Sequence, residues 1–221
     1  MKRLALVFTL LGPGICSADI VRSRGAKTWY VVNPQTGATS PLKEQSVRVL
    51  SACVVQSALA RVLYVVNAQN GECLELKDQN VSVKGGCIVQ SLSSSLLYVV
   101  NPQSGALSEL KDQNVLPSAD IVRSRGDNTW YVVNPQTGAT SPLKEQNVRV
   151  LSSCIVQSAL ARVLYVVNAQ NGECLELKDQ DVRVAGGCIV QSSSSRLLYV
   201  VNPQSGALSE LKDQNVLPST P

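Results

Sequence analysis

The chain has 221 residues, of which 44% are hydrophobic, 4% aromatic and 16% charged, and its formal net charge is +4. This composition is typical of a globular protein, and the small positive charge is far from the dense basic surface that nucleic-acid binding requires. The sequence contains no histidine. Catalysis by Ser-His-Asp or Cys-His groups and histidine-based zinc sites are therefore excluded.

The first eighteen residues have the pattern of a secretory signal peptide. Lys2 and Arg3 precede an apolar run at residues 4–11, and small residues end the segment at 16–18. A basic start, an apolar centre and a small-residue cleavage site are typical of such peptides. We expect residues 1–18 to be removed and residues 19–221 to form a single repeat domain. The predicted location is secreted and extracellular, with no membrane insertion.

The rest of the chain is repetitive at two levels. Residues 17–117 align with residues 118–218 with ten substitutions, so the chain consists of two near-identical halves of 101 residues. A Tyr-Val-Val-Asn run recurs within each half, at steps of 34, 34, 33, 34 and 34 residues. The six units are centred on Tyr30, Tyr64, Tyr98, Tyr131, Tyr165 and Tyr199. A period of this length indicates a propeller or a solenoid.

Each unit contains four short runs with the composition of β-strands. In the third unit they are 80–83, 87–91, 96–101 and 106–110, and they are rich in Val, Ile, Leu and Tyr. An Asn-x-Gln-x-Gly turn, such as residues 33–37, separates the third run from the fourth. Its last glycine supplies the positive φ that a hairpin turn needs.

Six units of four strands predict an all-β six-bladed β-propeller, in which each blade is a small twisted antiparallel sheet. After the leader, the chain starts with the second strand of a unit at 19–23 and ends with a first strand at 215–217. Pairing of these two segments would close the ring and complete the sixth unit. A β-solenoid and a pair of three-repeat barrels of trefoil type are the alternatives.

The run Leu-Tyr-Val-Val-Asn, followed by a glycine turn and a short strand, resembles the YVTN-type and quinoprotein-type propeller repeats. The number and length of the units are similar to those of the six-repeat tectonin and tachylectin-1 lectins. This resemblance implies a propeller fold and carbohydrate binding.

Six cysteines remain beyond the leader: Cys53, Cys73, Cys87, Cys154, Cys174 and Cys188. An even number of cysteines behind a signal peptide predicts disulfides, which we expect to join neighbouring blades. Because each half has three cysteines, one bridge crosses between the halves, or two thiols stay free or pair between chains. The spacings of 20 and 14 residues do not fit a zinc motif, and we expect no metal and no cofactor.

Two tryptophans stand out from the repeat. Trp29 and Trp130 occupy a position that is leucine in the other units, and the same two units carry paired arginines at 22 and 24 and at 123 and 125. An indole beside guanidinium groups is suited to binding a glycan or an anion; the alternative is that tryptophan is only a larger core residue. With polar residues of the turns, the predicted ligand-binding set is Arg22, Trp29, Asn33, Gln35, Arg123, Trp130, Asn134 and Gln136.

Three further motifs carry predictions. Arg125, Gly126 and Asp127 form the integrin-binding tripeptide at a predicted strand-to-strand tip, and Asn80 begins an Asn-Val-Ser glycosylation sequon. A Lys-Asp-Gln or Lys-Glu-Gln corner ends every unit. Its charges are expected to be solvated, whereas its glutamine either caps a strand end or lines a ligand pocket.

The sequence has no phosphate-binding loop, no nucleophile with a base and no metal-ligand cluster, so an enzyme is not expected. We expect a secreted multivalent binding protein that recognises glycans or glycoconjugates through loops between the blades, because several weak sites gain avidity by repetition. The alternative is an extracellular structural or adhesive matrix protein whose Arg-Gly-Asp loop engages a cell-surface receptor. No nucleic-acid partner is expected.

Overall fold

The computed structural model describes residues 19–218, and the signal segment predicted at 1–18 lies outside the described residues. Within this range the chain forms 24 β-strands, and it contains no helix long and apolar enough to cross a membrane. The strands form six antiparallel sheets of four strands each. Each sheet is one blade.

The strands are numbered in chain order, and the blades are numbered from the one that contains β1. Blade 1 contains β1 (Asp19–Ser23), β2 (Trp29–Val32), β3 (Thr39–Pro41) and β24 (Val216–Pro218). Blade 2 contains β4 (Val47–Val49), β5 (Val54–Ser57), β6 (Leu63–Val66) and β7 (Cys73–Glu75). Blade 3 contains β8 (Val81–Gly85), β9 (Ile88–Ser91), β10 (Leu97–Val100) and β11 (Leu107–Glu109).

The second half repeats this order. Blade 4 contains β12 (Val115–Ser118), β13 (Ile121–Ser124), β14 (Trp130–Val133) and β15 (Thr140–Pro142). Blade 5 contains β16 (Val148–Val150), β17 (Ile155–Ser158), β18 (Leu164–Val167) and β19 (Cys174–Glu176). Blade 6 contains β20 (Val182–Gly186), β21 (Ile189–Ser192), β22 (Leu198–Val201) and β23 (Leu208–Glu210).

The blades pack face to face in a ring. One apolar cluster joins Ile20 and Val31 of blade 1 to Val55 and Val66 of blade 2, and an equivalent cluster joins blades 4 and 5. Two larger clusters continue through blades 2, 3 and 4 and through blades 5, 6 and 1. This arrangement confirms the predicted six-bladed β-propeller.

Burial on both faces explains the paired valines of the repeat. Val31 and Val32 are adjacent in β2 and point to opposite faces, yet both are fully buried because a neighbouring blade covers each face. The outer strands end instead with exposed residues such as Pro41 and Glu75. A proline or a charge at a free sheet edge opposes pairing with other chains.

Blade 1 combines strands from both ends of the described chain. β24 pairs antiparallel with β1, and the register places Val21 opposite Pro218, Arg22 opposite Leu217 and Ser23 opposite Val216. The ring is therefore closed by main-chain hydrogen bonds between residues about 200 positions apart.

Antiparallel strands give the ring two faces. In blade 2, residues 50–53 and 67–72 connect strands on one face, here called the turn face. Residues 58–62 and 76–80 connect strands on the other, here called the loop face. Every other blade has the same arrangement, so equivalent residues of the six units lie on the same face.

The glutamine of the repeated corner caps strand ends in all six blades. The Trp29 amide donates to Gln45 Oε1 at 2.7 Å, and Gln45 Nε2 donates to the carbonyls of Trp29 and Leu42 at 3.0 and 2.5 Å. The same three hydrogen bonds are made by Gln79, Gln113, Gln146, Gln180 and Gln214. The structure thus assigns this residue the capping role, one of the two that the sequence left open.

Candidate functional site

An arginine and a tryptophan lie together on the surface of blade 1. Arg22 of β1 pairs with Trp29 of β2 on one side and with Leu217 of β24 on the other. The Arg22 guanidinium carbon is 5.3 Å from the centroid of the Trp29 ring, within the range of a cation–π interaction. Arg22 Nε also donates to the Lys27 carbonyl at 3.4 Å. These contacts hold the guanidinium beside the indole.

Blade 4 has the same arrangement. Arg123 pairs with Trp130 and with Leu116, and its guanidinium carbon is 5.4 Å from the Trp130 ring. Arg123 Nε donates to the Asn128 carbonyl at 3.3 Å. Because blades 1 and 4 are three positions apart in a ring of six, the two sites lie on opposite sides of the molecule.

Each arginine–tryptophan row faces the next blade. Ile20 and Val31, which lie two residues from Arg22 and Trp29 along their strands, pack against blade 2. Residues two apart in a strand share a face, so Arg22 and Trp29 also face blade 2. Trp29 is half-buried against the apolar cluster and Arg22 is exposed. We call this part of the loop face, formed by Arg22 and Trp29 beside blade 2, the arginine–tryptophan groove; its counterpart, formed by Arg123 and Trp130, lies beside blade 5.

The other four blades show that the fold does not need this pair. In blade 2, Gln56 and Leu63 occupy the equivalent positions and pair in the same register. Gln56 Nε2 donates to the Arg61 carbonyl at 3.1 Å, just as Arg22 donates to Lys27. The fold thus accommodates either pair at these positions, and Trp29 and Trp130 also pack against the apolar clusters between the blades, as larger core residues would.

The structure separates the predicted ligand-binding residues into two groups. Asn33 and Gln35, with their counterparts Asn134 and Gln136, lie on the turn face at the far end of the strand from the tryptophan. The four positions from Trp29 to Asn33 span about 13 Å of extended chain. Asn33 Oδ1 accepts a hydrogen bond from the Gln35 amide at 2.9 Å, as Asn134 Oδ1 does from Gln136. These asparagines hold the turns, and they do not join the groove.

The loop face presents the two motifs that depend on an extracellular location. Arg125, Gly126 and Asp127 are exposed between β13 and β14. Asp127 Oδ1 accepts a hydrogen bond from the Thr129 amide at 3.0 Å, and this hydrogen bond lowers the pKa of Asp127. Asn80 of the sequon is exposed immediately before β8. All of these residues are accessible to a receptor or an enzyme.

Two disulfides join neighbouring blades. Cys53–Cys87 links blades 2 and 3 with a Cα–Cα distance of 5.3 Å, and Cys154–Cys188 links blades 5 and 6 with a distance of 5.6 Å. The other two candidates, Cys73 and Cys174, are free thiols in the outer strands β7 and β19. Burial raises the pKa of both thiols. The expected bridges between blades are confirmed, and the odd cysteine of each half stays unbridged within the chain.

Two buried aspartates outside the predicted ligand-binding set hold the seams between the halves. Asp120 Oδ1 accepts from the Cys87 amide at 2.7 Å, joining blades 3 and 4. Asp19 Oδ2 accepts from the Cys188 amide at 2.8 Å, joining blades 6 and 1. Burial raises the pKa of Asp19 to about 7; the Cys188 amide opposes this rise and the nearby Asp120 carboxylate adds to it. The sequence repeat marks these two positions as contacts between blades, because each aspartate occupies the position that a bridging cysteine has in the other units.

Comparisons of the chain with known protein families and with curated proteins found no match. Among residues 19–218, no group of three or more histidine, cysteine, aspartate or glutamate residues could hold a metal ion. The fold and the site thus define a six-bladed β-propeller that carries two equivalent arginine–tryptophan grooves on its loop face.

Proposed function

We propose that the protein is a secreted, non-enzymatic binding protein that recognises glycans through its two arginine–tryptophan grooves. The observation that supports this most directly is the presence of arginine and tryptophan in blades 1 and 4 where four otherwise equivalent blades have glutamine and leucine. The exposed part of an indole offers a flat apolar surface to a sugar ring. The neighbouring guanidinium offers several hydrogen-bond donors to hydroxyl or acidic groups.

The position of the grooves favours multivalent binding. Both open on the same face of the ring, and they lie on opposite sides of it. A surface that displays many copies of one glycan can occupy both grooves, and the second binding event then becomes intramolecular. Each groove can be weak on its own while the whole protein is retained strongly. The disulfides between blades support an oxidising, extracellular compartment.

The repeat itself supplies the variants that test this proposal. Arg22→Gln with Trp29→Leu, and Arg123→Gln with Trp130→Leu, give blades 1 and 4 the residues that the other blades already have. We expect the oxidised protein to bind selectively on a glycan array, each double variant to lose avidity by about a hundredfold, and the quadruple variant to lose binding. Gln103→Ala, an exposed change on the turn face, is the matched control. Undiminished binding by the folded quadruple variant, or no glycan retained by the unaltered protein, would contradict the proposal.

A second candidate function rests on the exposed Arg125-Gly126-Asp127 loop. Here the protein would be an extracellular adhesive protein that a cell-surface receptor recognises. The other half has Ala26 in place of Asp127, so the fold already accommodates alanine at this position of the loop. Loss of cell attachment in this variant, with glycan binding unchanged, would support the adhesive function. Equal attachment of cells to the variant and the unaltered protein would exclude it.

A further inference from the structure

A cavity of about 710 Å³ lies on the axis of the ring, and all six blades contribute to it. Its turn-face end is lined by the corners between first and second strands, including Asp19, Ala52, Gly86, Ala119, Ser153 and Gly187. The inner strands of blades 3 and 6 line its walls, and it continues into the opening between blades 5 and 6. This volume is within the range of small-molecule binding sites. We call it the central cavity.

The charged side chains that line the central cavity are mostly cationic. Lys84 of β8, Arg183 of β20 and Arg162 between β17 and β18 contribute three positive groups. The one acidic residue of the lining, Asp19, is buried and accepts a hydrogen bond from the Cys188 amide. Lys84 and Arg183 belong to the inner strands of opposite blades, and both line the cavity. An anion on the axis is therefore attracted by both.

A buried hydroxyl gives an independent indication of a ligand. Ser153 lines the cavity with only 7% of its surface exposed, and its Oγ has no hydrogen-bond partner. The neighbouring Ser152 hydroxyl, by contrast, donates to the Gly187 carbonyl at 2.5 Å. Buried polar groups are nearly always satisfied, so an orphaned hydroxyl in a cavity wall calls for a partner. Rotation of the Ser153 side chain brings this covered hydroxyl to the cavity, where a ligand oxygen can accept its hydrogen bond.

The differences between the halves also meet at this cavity. Only ten positions differ between residues 17–117 and 118–218. Three of them are Ala52 against Ser153, Ser82 against Arg183, and Lys84 against Ala185. Five of these six residues line the central cavity. The orphaned hydroxyl is thus absent from the first half, and each half carries its cation at a different position of the inner strand.

From the cations, the orphaned hydroxyl and the volume we infer that the central cavity binds one small organic anion, a hydroxylated carboxylate or phosphate, separately from the glycan grooves. Lys84 and Arg183 bind the anionic groups, Arg162 adds positive charge at the loop-face end of the cavity, and the Ser153 hydroxyl donates to one of the ligand oxygens. Arg183 Nη2, which donates to Gln191 Oε1 at 2.9 Å, keeps further donors available, because a guanidinium has five N–H groups.

The test is isothermal titration calorimetry of the oxidised protein, residues 19–221, with citrate, glucose 6-phosphate and neutral glucose. Each variant takes its residue from the other half: Ser153→Ala as in Ala52, and Lys84→Ala with Arg183→Ser as in Ala185 and Ser82. We expect at least one anion to bind and glucose not to bind. Affinity should fall about tenfold in the lysine–arginine double variant and about fivefold in Ser153→Ala. Unfolding midpoints measured alongside show that the variants are folded.

The arms of the experiment separate this inference from the proposed lectin function. Binding of citrate alone identifies a carboxylate ligand, and binding of glucose 6-phosphate alone identifies a phosphate. The quadruple groove variant should bind the anion within twofold of the unaltered protein. The inference is overturned if neither anion binds at about 10 mM. It is also overturned if glucose binds equally, or if the groove variant rather than the cavity variants loses the anion.

Discussion

The buried carboxyl group of Asp19 should make the folded protein less stable as the pH rises from about 4 to about 7. Asp19 has 3% of its surface exposed, and its pKa rises from 3.8 to about 7 because burial disfavours the charged form. Between these values the folded protein keeps a proton that the unfolded chain releases. The stabilisation by this proton is fully present below the pKa of the unfolded chain, 3.8, and it is lost as the pH rises through the pKa of the folded protein, about 7. The difference between these two pKa values corresponds to about 4 kcal/mol of unfolding free energy.

The Asp19→Asn variant isolates this contribution. Its side-chain oxygen can still accept the hydrogen bond from the Cys188 amide, but the side chain does not titrate. Urea denaturation with intact disulfides at pH 4.5, 6 and 8 gives the free energy of unfolding of both proteins; both chains keep residue 18, so that no α-ammonium group lies beside the residue 19 side chain. We expect the unaltered protein to lose several kcal/mol relative to the variant over this range. Asp78→Asn, a change at an exposed corner, is the control. A difference that does not vary with pH, or one that moves in favour of the unaltered protein as the pH rises, would refute the reasoning.

Two further predictions concern residues that hold the blades. Gly187→Ala should destabilise the protein by about 2 kcal/mol or more, because Gly187 has a φ of +50° and an added Cβ would overlap Asp19 Oδ1. Gly25→Ala is the control: its Cβ would lie in open space, so stability should not change. Gln113→Ala should cost about 1–3 kcal/mol because it removes three strand-capping hydrogen bonds, and Gln103→Ala should cost almost nothing. Midpoints of urea denaturation measure both effects, and equal stability of either pair would show that the contact is unimportant.

The blades were predictable from the sequence because each blade is built from neighbouring segments. Tyr30 and its five counterparts mark the third strands, and the glycine at position 37 has the positive φ that the turn pattern requires. Within a blade, strands pair with the next strand in the chain, so the local pattern contains the information. The pairing of β24 with β1 is the exception, because these strands are far apart in the chain. It was predictable because the unit centred on Tyr30 has no first strand of its own in the sequence before it.

Contacts between blades were harder to predict. Asp120 and Cys87 are 33 positions apart, and Asp19 and Cys188 are 169 positions apart. The repeat aligns these aspartates with the bridging cysteines, but alignment alone does not show that the corner lies on the ring axis and touches the next blade. For the same reason Trp29 and Asn33 were predicted to belong to one ligand-binding set, although they lie at opposite ends of β2.

The two halves are alike at the grooves and different at the central cavity, and this contrast predicts the stoichiometry of binding. Arg22, Trp29 and Leu217 have identical counterparts in Arg123, Trp130 and Leu116, so a glycan should bind with two equal sites per chain. The cavity lies on the axis, where a second copy cannot exist, and its Lys84, Arg183 and Ser153 side chains have no identical counterparts in the other half. An anion bound there should have one site per chain. Calorimetric titration with each ligand distinguishes two sites from one, and a single glycan site or two equal anion sites would show that the symmetry argument is wrong.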